Sequence, residues 1–102
     1  MDAAFTYYKK NKAIEEVNYP YVGVDQKCLY DVTKGTIIVN GYKDVTPQNS
    51  AALTNAVAQG PVSVAIEADQ SIFQLYKGGV IRKADCGANL DHGVLAVGYG
   101  SE

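Results

Sequence analysis

The sequence predicts an α+β fold with a largely antiparallel sheet, and three observations carry that prediction. Two stretches with helical spacing, 2–12 and 50–59, stand among three short apolar stretches of strand character, 36–42, 62–67 and 92–99. The strands do not alternate regularly with long crossover helices, which a parallel sheet would need. The composition, 102 residues with 47% hydrophobic content, 20% charged content and a net charge of -2, is that of one globular domain and not of a disordered or fibrous segment.

The first helix is placed over 2–12 because Asp2 can cap its start, Phe5 and Tyr8 recur at i and i+3, and Lys9, Lys10 and Lys12 suit the negative end of the helix dipole. Asn18-Tyr19-Pro20-Tyr21-Val22-Gly23-Val24-Asp25 follows as a turn-rich loop in which Tyr19, preceding a proline, is extended. Thr36 to Tyr42 is dense in β-branched and aromatic residues after Gly35, and reads as a strand. Thr46 to Ser50 offers several N-cap residues ahead of the helix at 50–59, whose apolar stripe is Leu53, Ala56 and Val57 and which Gly60-Pro61 ends. From 62 to 67 the residues alternate, with Val62, Val64 and Ile66 on one face and Ser63, Ala65 and Glu67 on the other. A helical turn around 71–76 leads through Lys77-Gly78-Gly79-Val80 and a loop holding Cys86 and Gly87 to the strand at 92–99. Three such strands make a thin sheet whose unpaired edges are open to association. No internal repeat, low-complexity tract or interdomain linker interrupts this order.

Several function classes are excluded at once. Nine basic residues stand against eleven acidic ones with no dense basic surface beyond the three lysines at 9–12, so a nucleic-acid partner is not expected. No apolar run is long enough to cross a bilayer, and Met1-Asp2-Ala3-Ala4-Phe5 lacks the basic start and apolar stretch of a secretory signal. Cys28 and Cys86 form no C-x-x-C pair, and with a single histidine they do not complete a four-ligand zinc site, so neither a metal nor another cofactor is expected. On counting alone the two cysteines are either buried free thiols or one mutual disulfide. The histidine, His92, stands just ahead of the apolar run Val94-Leu95-Ala96-Val97. An imidazole can move a proton. Covalent catalysis would further require a nucleophile beside it and a group to orient it.

Pro61-Val62-Ser63-Val64-Ala65-Ile66, Phe73-Gln74-Leu75-Tyr76-Lys77-Gly78-Gly79-Val80, Cys86-Gly87 and Asp91-His92-Gly93-Val94 through Val97-Gly98-Tyr99-Gly100 together resemble the papain-like cysteine peptidases, the cathepsin L-like branch above all. Met1 to Phe5 and Tyr19-Pro20-Tyr21 fit the same family in the same order, so the resemblance covers essentially the whole chain. It implies a partial papain-like fold, mostly the His-bearing antiparallel sheet or barrel domain with short helices. In this family a Cys thiolate attacks the peptide carbonyl and a histidine protonates the leaving amine, and His92 matches that histidine. Residues matching Met1, Ala65, Leu90 and Gly93 line the family's apolar specificity pocket, which would accept Leu, Phe or similar groups. The competing reading of Met1 is an initiator methionine or a cloning residue. Asp91 matches the acid at the rim of the cleft, where it can bias the protonation of the histidine.

The resemblance also has gaps. No C-G-S-C-W-type nucleophile segment, preceding oxyanion-hole Gln or N-S-W-G segment with its orienting Asn occurs in these residues, and neither Cys28 nor Cys86 has the context to replace the nucleophile. The positions matching Cys28 and Cys86 form separate disulfides in the family, each to a cysteine outside this span. The expectation is therefore the middle portion of a cysteine endopeptidase, inactive alone. Its partners would be a peptide or protein substrate, the missing N- and C-terminal parts of the peptidase domain, and protein inhibitors of proteases. By the same resemblance the location is lysosomal, vacuolar or secreted. Two other readings compete: a non-catalytic module that binds peptides or a protease, and a structural unit that folds by dimerising through its open edges.

Overall fold

Residue contacts gather the chain into two compact units, Met1–Asp44 and Val45–Glu102. The structure is a computed structural model and describes residues 1–101.

In the first unit helix α1 spans Asp2–Tyr8, four residues shorter than the expected 2–12. Met1, not Asp2, is the N-cap, and Asp2 lies in the first turn, where its charge favours the helix dipole. Asn11 sets the end. Its side-chain Nδ2 donates at 3.1 Å to the same Tyr7 carbonyl that its backbone N–H reaches, a local competitor for the last helical bond. Two 3-10 turns follow, Glu16–Asn18 and Val32–Lys34, the second capped by Asp31, which accepts from Thr33 N–H at 2.9 Å and from Thr33 Oγ1 at 2.6 Å.

The strand expected at 36–42 does not form; only an isolated antiparallel bridge between Ala13 and Ile37 is present. A strand exists only where a partner offers successive rungs. Here the partner offers one, because the Asn11 N–H, which the next rung would use, is given to the Tyr7 carbonyl. The approach is close enough to need a glycine: a Cβ on Gly35 would lie 2.8 Å from Lys12 Cβ and 2.9 Å from its carbonyl oxygen. Ring contacts supply the remaining cohesion. Tyr7 meets Tyr8 edge-on at 5.2 Å and Tyr30 at 6.0 Å, and Phe5 meets Tyr42 at 6.0 Å.

In the second unit helix α2 spans Ser50–Val57, with Asn49 as N-cap accepting from Ala52 N–H at 2.9 Å. The expected 50–59 is shortened because its last amides tighten to three-residue spacing, Gln59 N–H donating to Ala56 and Gly60 N–H to Val57. Strand β1, Val62–Ile66, pairs antiparallel with strand β2, His92–Ala96, and a one-turn helix α3, Ser71–Gln74, and a 3-10 turn, Lys83–Asp85, lie between them. The expected three strands are two. β1 stops one residue short of the predicted 62–67 because Glu67 turns its side chain inward. β2 stops three short of 92–99 because the residue facing Val97 would be Pro61, which has no N–H to give.

Among the described residues no apolar side chain is fully buried and no helix is long and apolar enough to cross a membrane. No group of three or more His, Cys, Asp and Glu is gathered for a metal.

Candidate active site

The β1–β2 ladder positions the histidine and its neighbours. Its register pairs Val62 with Ala96, Ser63 with Leu95, Val64 with Val94, Ala65 with Gly93 and Ile66 with His92. Ala65 and Gly93, two of the residues expected to line a pocket, therefore face one another across the strands, and both are exposed. A small side chain opposite none at all leaves that row of the sheet without bulk on its face. His92 occupies the adjoining row, opposite Ile66, so the pleat sets it on the alternate face from the Ala65–Gly93 pair. It is also the last rung, and its exposed imidazole stands at the end of the sheet with no further pair to cover it.

The segment that leads into β2 is held by carboxylates. Asp91 donates its N–H to the Ile66 carbonyl at 3.0 Å, and its side chain accepts from Ala68 N–H at 2.7 Å and Asp69 N–H at 3.3 Å. The acid expected at a cleft rim thus has both oxygens engaged by backbone amides just beyond β1. Leu90, 63% exposed, precedes it with its side chain in solvent. Gln74 Nε2 donates to the Ala68 carbonyl at 2.8 Å, which secures the same turn from α3.

The sequence reading missed Glu67. Alternation sets it on the open face with Ser63 and Ala65, yet it is 7% exposed and is the one buried polar residue among those described. Its Oε1 accepts from Gln70 Nε2 and its Oε2 from Asn89 N–H, both at 2.6 Å. No local pattern could have found this, because the decisive partner lies twenty-two residues away.

Neither thiol is buried and neither is bonded to the other: Cys28, in the first unit, and Cys86, in the second, are both free and exposed. Both alternatives left by counting are thereby corrected. Each cysteine sits in irregular backbone, where nothing encloses its sulfur. Cys86 Sγ is directed to the Gly87 carbonyl at 3.7 Å. Met1 belongs to the first unit, where it precedes α1 and is 53% exposed.

An exposed imidazole at a strand end, flanked by small residues, can exchange a proton with a group brought alongside it. The sequence profile of the papain family cysteine proteases matches residues 1–102. This chain belongs to the papain family of cysteine proteases. Within the family it is 48% identical over 101 residues to the senescence-specific cysteine protease SAG39 of Oryza sativa subsp. indica, covering 98% of this chain and 29% of that protein. It is 47% identical to cathepsin L2 of Homo sapiens, covering all of this chain and 31% of the relative. Its backbone superimposes on digestive procathepsin L 3 of Tenebrio molitor with a TM-score of 0.89 at 38% identity, over 100% of this chain and 34% of that one. The fold is accordingly α+β and papain-like in part, and the chain spans less than a third of the length of the curated relatives it matches.

Proposed function

We propose that these residues form part of a papain-like cysteine endopeptidase, to which they contribute the proton-transferring histidine and one wall of an apolar specificity pocket. The observation that carries this reading is the placement of His92, exposed at the end of the β1–β2 ladder in a chain of this family, with the Ala65–Gly93 pair on the adjoining rung and the alternate face. In the proposed reaction a thiolate supplied by a segment outside these residues attacks the substrate carbonyl carbon. The His92 imidazolium then gives its proton to the departing amine, and water later releases the acyl group. Ala65, Leu90 and Gly93 accept an apolar side chain of the substrate, and Asp91 holds the approach to β2 by its bonds to the amides of Ala68 and Asp69.

The remainder of the peptidase domain is the proposed partner, and the unburied apolar side chains support it. Val17, Tyr21, Leu75 and Val97 are each more than 70% exposed, and no apolar side chain among the described residues is buried. Cys28 and Cys86 are proposed to bond to cysteines outside the chain, in keeping with a lysosomal, vacuolar or secreted location, where disulfides persist.

The test is an assay with a fluorogenic peptide. The 102 residues alone are expected to give no turnover. Mixing them with a fragment that carries the nucleophile segment and the C-terminal strands restores thiol-dependent hydrolysis, and His92→Ala abolishes it. Hydrolysis by the chain alone, or strict inactivity of a correctly assembled mixture, overturns the reading. Self-association of the chain without any gain of activity on mixing would favour the dimerising unit instead.

A further inference from the structure

Antiparallel ladders fray at their ends, because the last rung has a neighbour on one side only. β1 and β2 end at the Ile66–His92 rung, so the residue assigned the proton transfer sits where a sheet is least held. Three hydrogen bonds continue past it. Asp91 N–H donates to the Ile66 carbonyl at 3.0 Å, Ala68 N–H to Asp91 Oδ1 at 2.7 Å, and Asn89 N–H to Glu67 Oε2 at 2.6 Å. Each carboxylate reaches from its own side to an amide on the other. Side chains replace the backbone rungs that the diverging segments no longer make.

The two acids are not equivalent. Asp91 is exposed, whereas Glu67 is almost wholly withdrawn from water. A buried carboxylate is unfavourable unless its oxygens are occupied, and both are, at distances in the short range of charge-assisted bonds. Gly87 completes the fit, because a Cβ there would collide with the Glu67 carboxylate. Residue 87 passes the carboxylate only by having no side chain. The acid and the glycine act together to pin the 87–91 strap to the end of β1.

The geometry points to Glu67 as a positioning residue for His92, acting through Asn89 and the strap that feeds β2. It touches no reacting group. In this role it rests on the reading of His92 as the proton carrier, while the pinning of the strap stands on geometry alone. Substitution by Gln is the conservative case: one oxygen still accepts from Asn89, and the Gln70 amide can rotate to present its own oxygen to the new NH2.

The experiment combines hydrogen exchange with kinetics on the complete product of the gene. Glu67→Ala is expected to speed exchange at Asn89 and Asp91 by about 10- to 100-fold, the range for losing a bond to a charged group, with α2 unchanged as the internal reference. Glu67→Gln moves these amides far less. Gly87→Ala reproduces the Glu67→Ala pattern but adds little to it in the double variant, because the group it strikes has gone. With a peptide substrate, Glu67→Ala and Gly87→Ala lower kcat about 10-fold or more with a smaller change in KM, and Glu67→Gln restores most of it.

Unchanged exchange at Asn89, a rise spread equally over α2, or full additivity of the two variants overturns the proposal. Retained kcat in Glu67→Ala where His92→Ala is inactive also overturns it, while leaving the peptidase reading intact. Turnover that survives His92→Ala defeats the peptidase reading instead, and the exchange pattern then reports on the strap alone.

Discussion

The first unit, Met1–Asp44, and the second, Val45–Glu102, both contain strand-forming sequence, yet only the second builds a ladder. The first has Thr36 to Tyr42, as rich in β-branched and aromatic residues as either strand of the second, and obtains a single bridge. Its cohesion comes from rings, with Tyr7 placed between Tyr8 and Tyr30 and Phe5 against Tyr42. The second holds five consecutive rungs and extends them with two carboxylates. Ring contacts tolerate a few tenths of an ångström of slip, whereas a ladder fixes register residue by residue. The proposed proton transfer would need the latter, and His92 is on the ladder.

The sharpest way to break this comparison is catalytic. In the complete gene product His92→Ala should lower kcat on a fluorogenic peptide by on the order of 10³-fold or more. Tyr30→Phe, which removes a hydroxyl bond in the first unit, should leave kcat within about 2-fold of the parent. Equal losses from the two would remove the distinction between the regions.

Next in size is Gly35→Ala, which forces a methyl group against Lys12. It should cost about 1–3 kcal/mol in thermal unfolding and disturb the near-ultraviolet signal of the tyrosine cluster. Asn49→Ala removes the N-cap of α2 and should cost about 1 kcal/mol, read as lower helical ellipticity with the tyrosine signal unchanged. Together the pair tells whether each unit loosens without the other.

The smallest effects are those of pH, and both fall on the first unit. Partial desolvation, with Tyr30 and Cys28 beside it, raises the Tyr7 phenol above its ordinary value. A raised value means that the stability is whole below the ordinary phenol value, near pH 10, and is lost as the pH climbs through the folded one. Tyrosinate absorbance should therefore rise later than in a denatured control, with loss of the ring contacts. The Thr33 hydroxyl and amide hold the Asp31 carboxyl below its ordinary range, so its contribution is present above that range and is lost as acid protonates it. Release of the Val32–Lys34 turn should be visible as a shift of the Thr33 amide below about pH 4. A matching transition in β1 or β2 would contradict the assignment of these groups to the first unit.

Much of the second unit was legible in its residues. Asn49 among the candidate caps, the alternation from Val62 and the glycine and proline after α2 each act over a few positions, and so α2 and β1 were found with errors at their ends only. The first unit was less legible, because whether 36–42 becomes a strand depends on what Asn11 does with its own hydrogen bonds. For the site, the blocks around Ala65 and Asp91-His92-Gly93 identified the family, and the register then brought Ala65 to Gly93. Glu67 stayed hidden because strand alternation is a rule about faces, and the strand ends one residue before it.

The amino-acid order by itself determined both main helices and the two paired strands, since those follow from spacing and local chemistry, while the papain family and the candidate histidine came from resemblance of whole blocks of sequence. Only the tertiary structure decided that one apolar stretch stays unpaired, that β2 ends opposite Pro61, and that a glutamate beyond a strand is buried against a glycine. The physical reason is common to all three: a hydrogen-bonding group is settled by whichever partner reaches it in space, and those partners lie far along the chain.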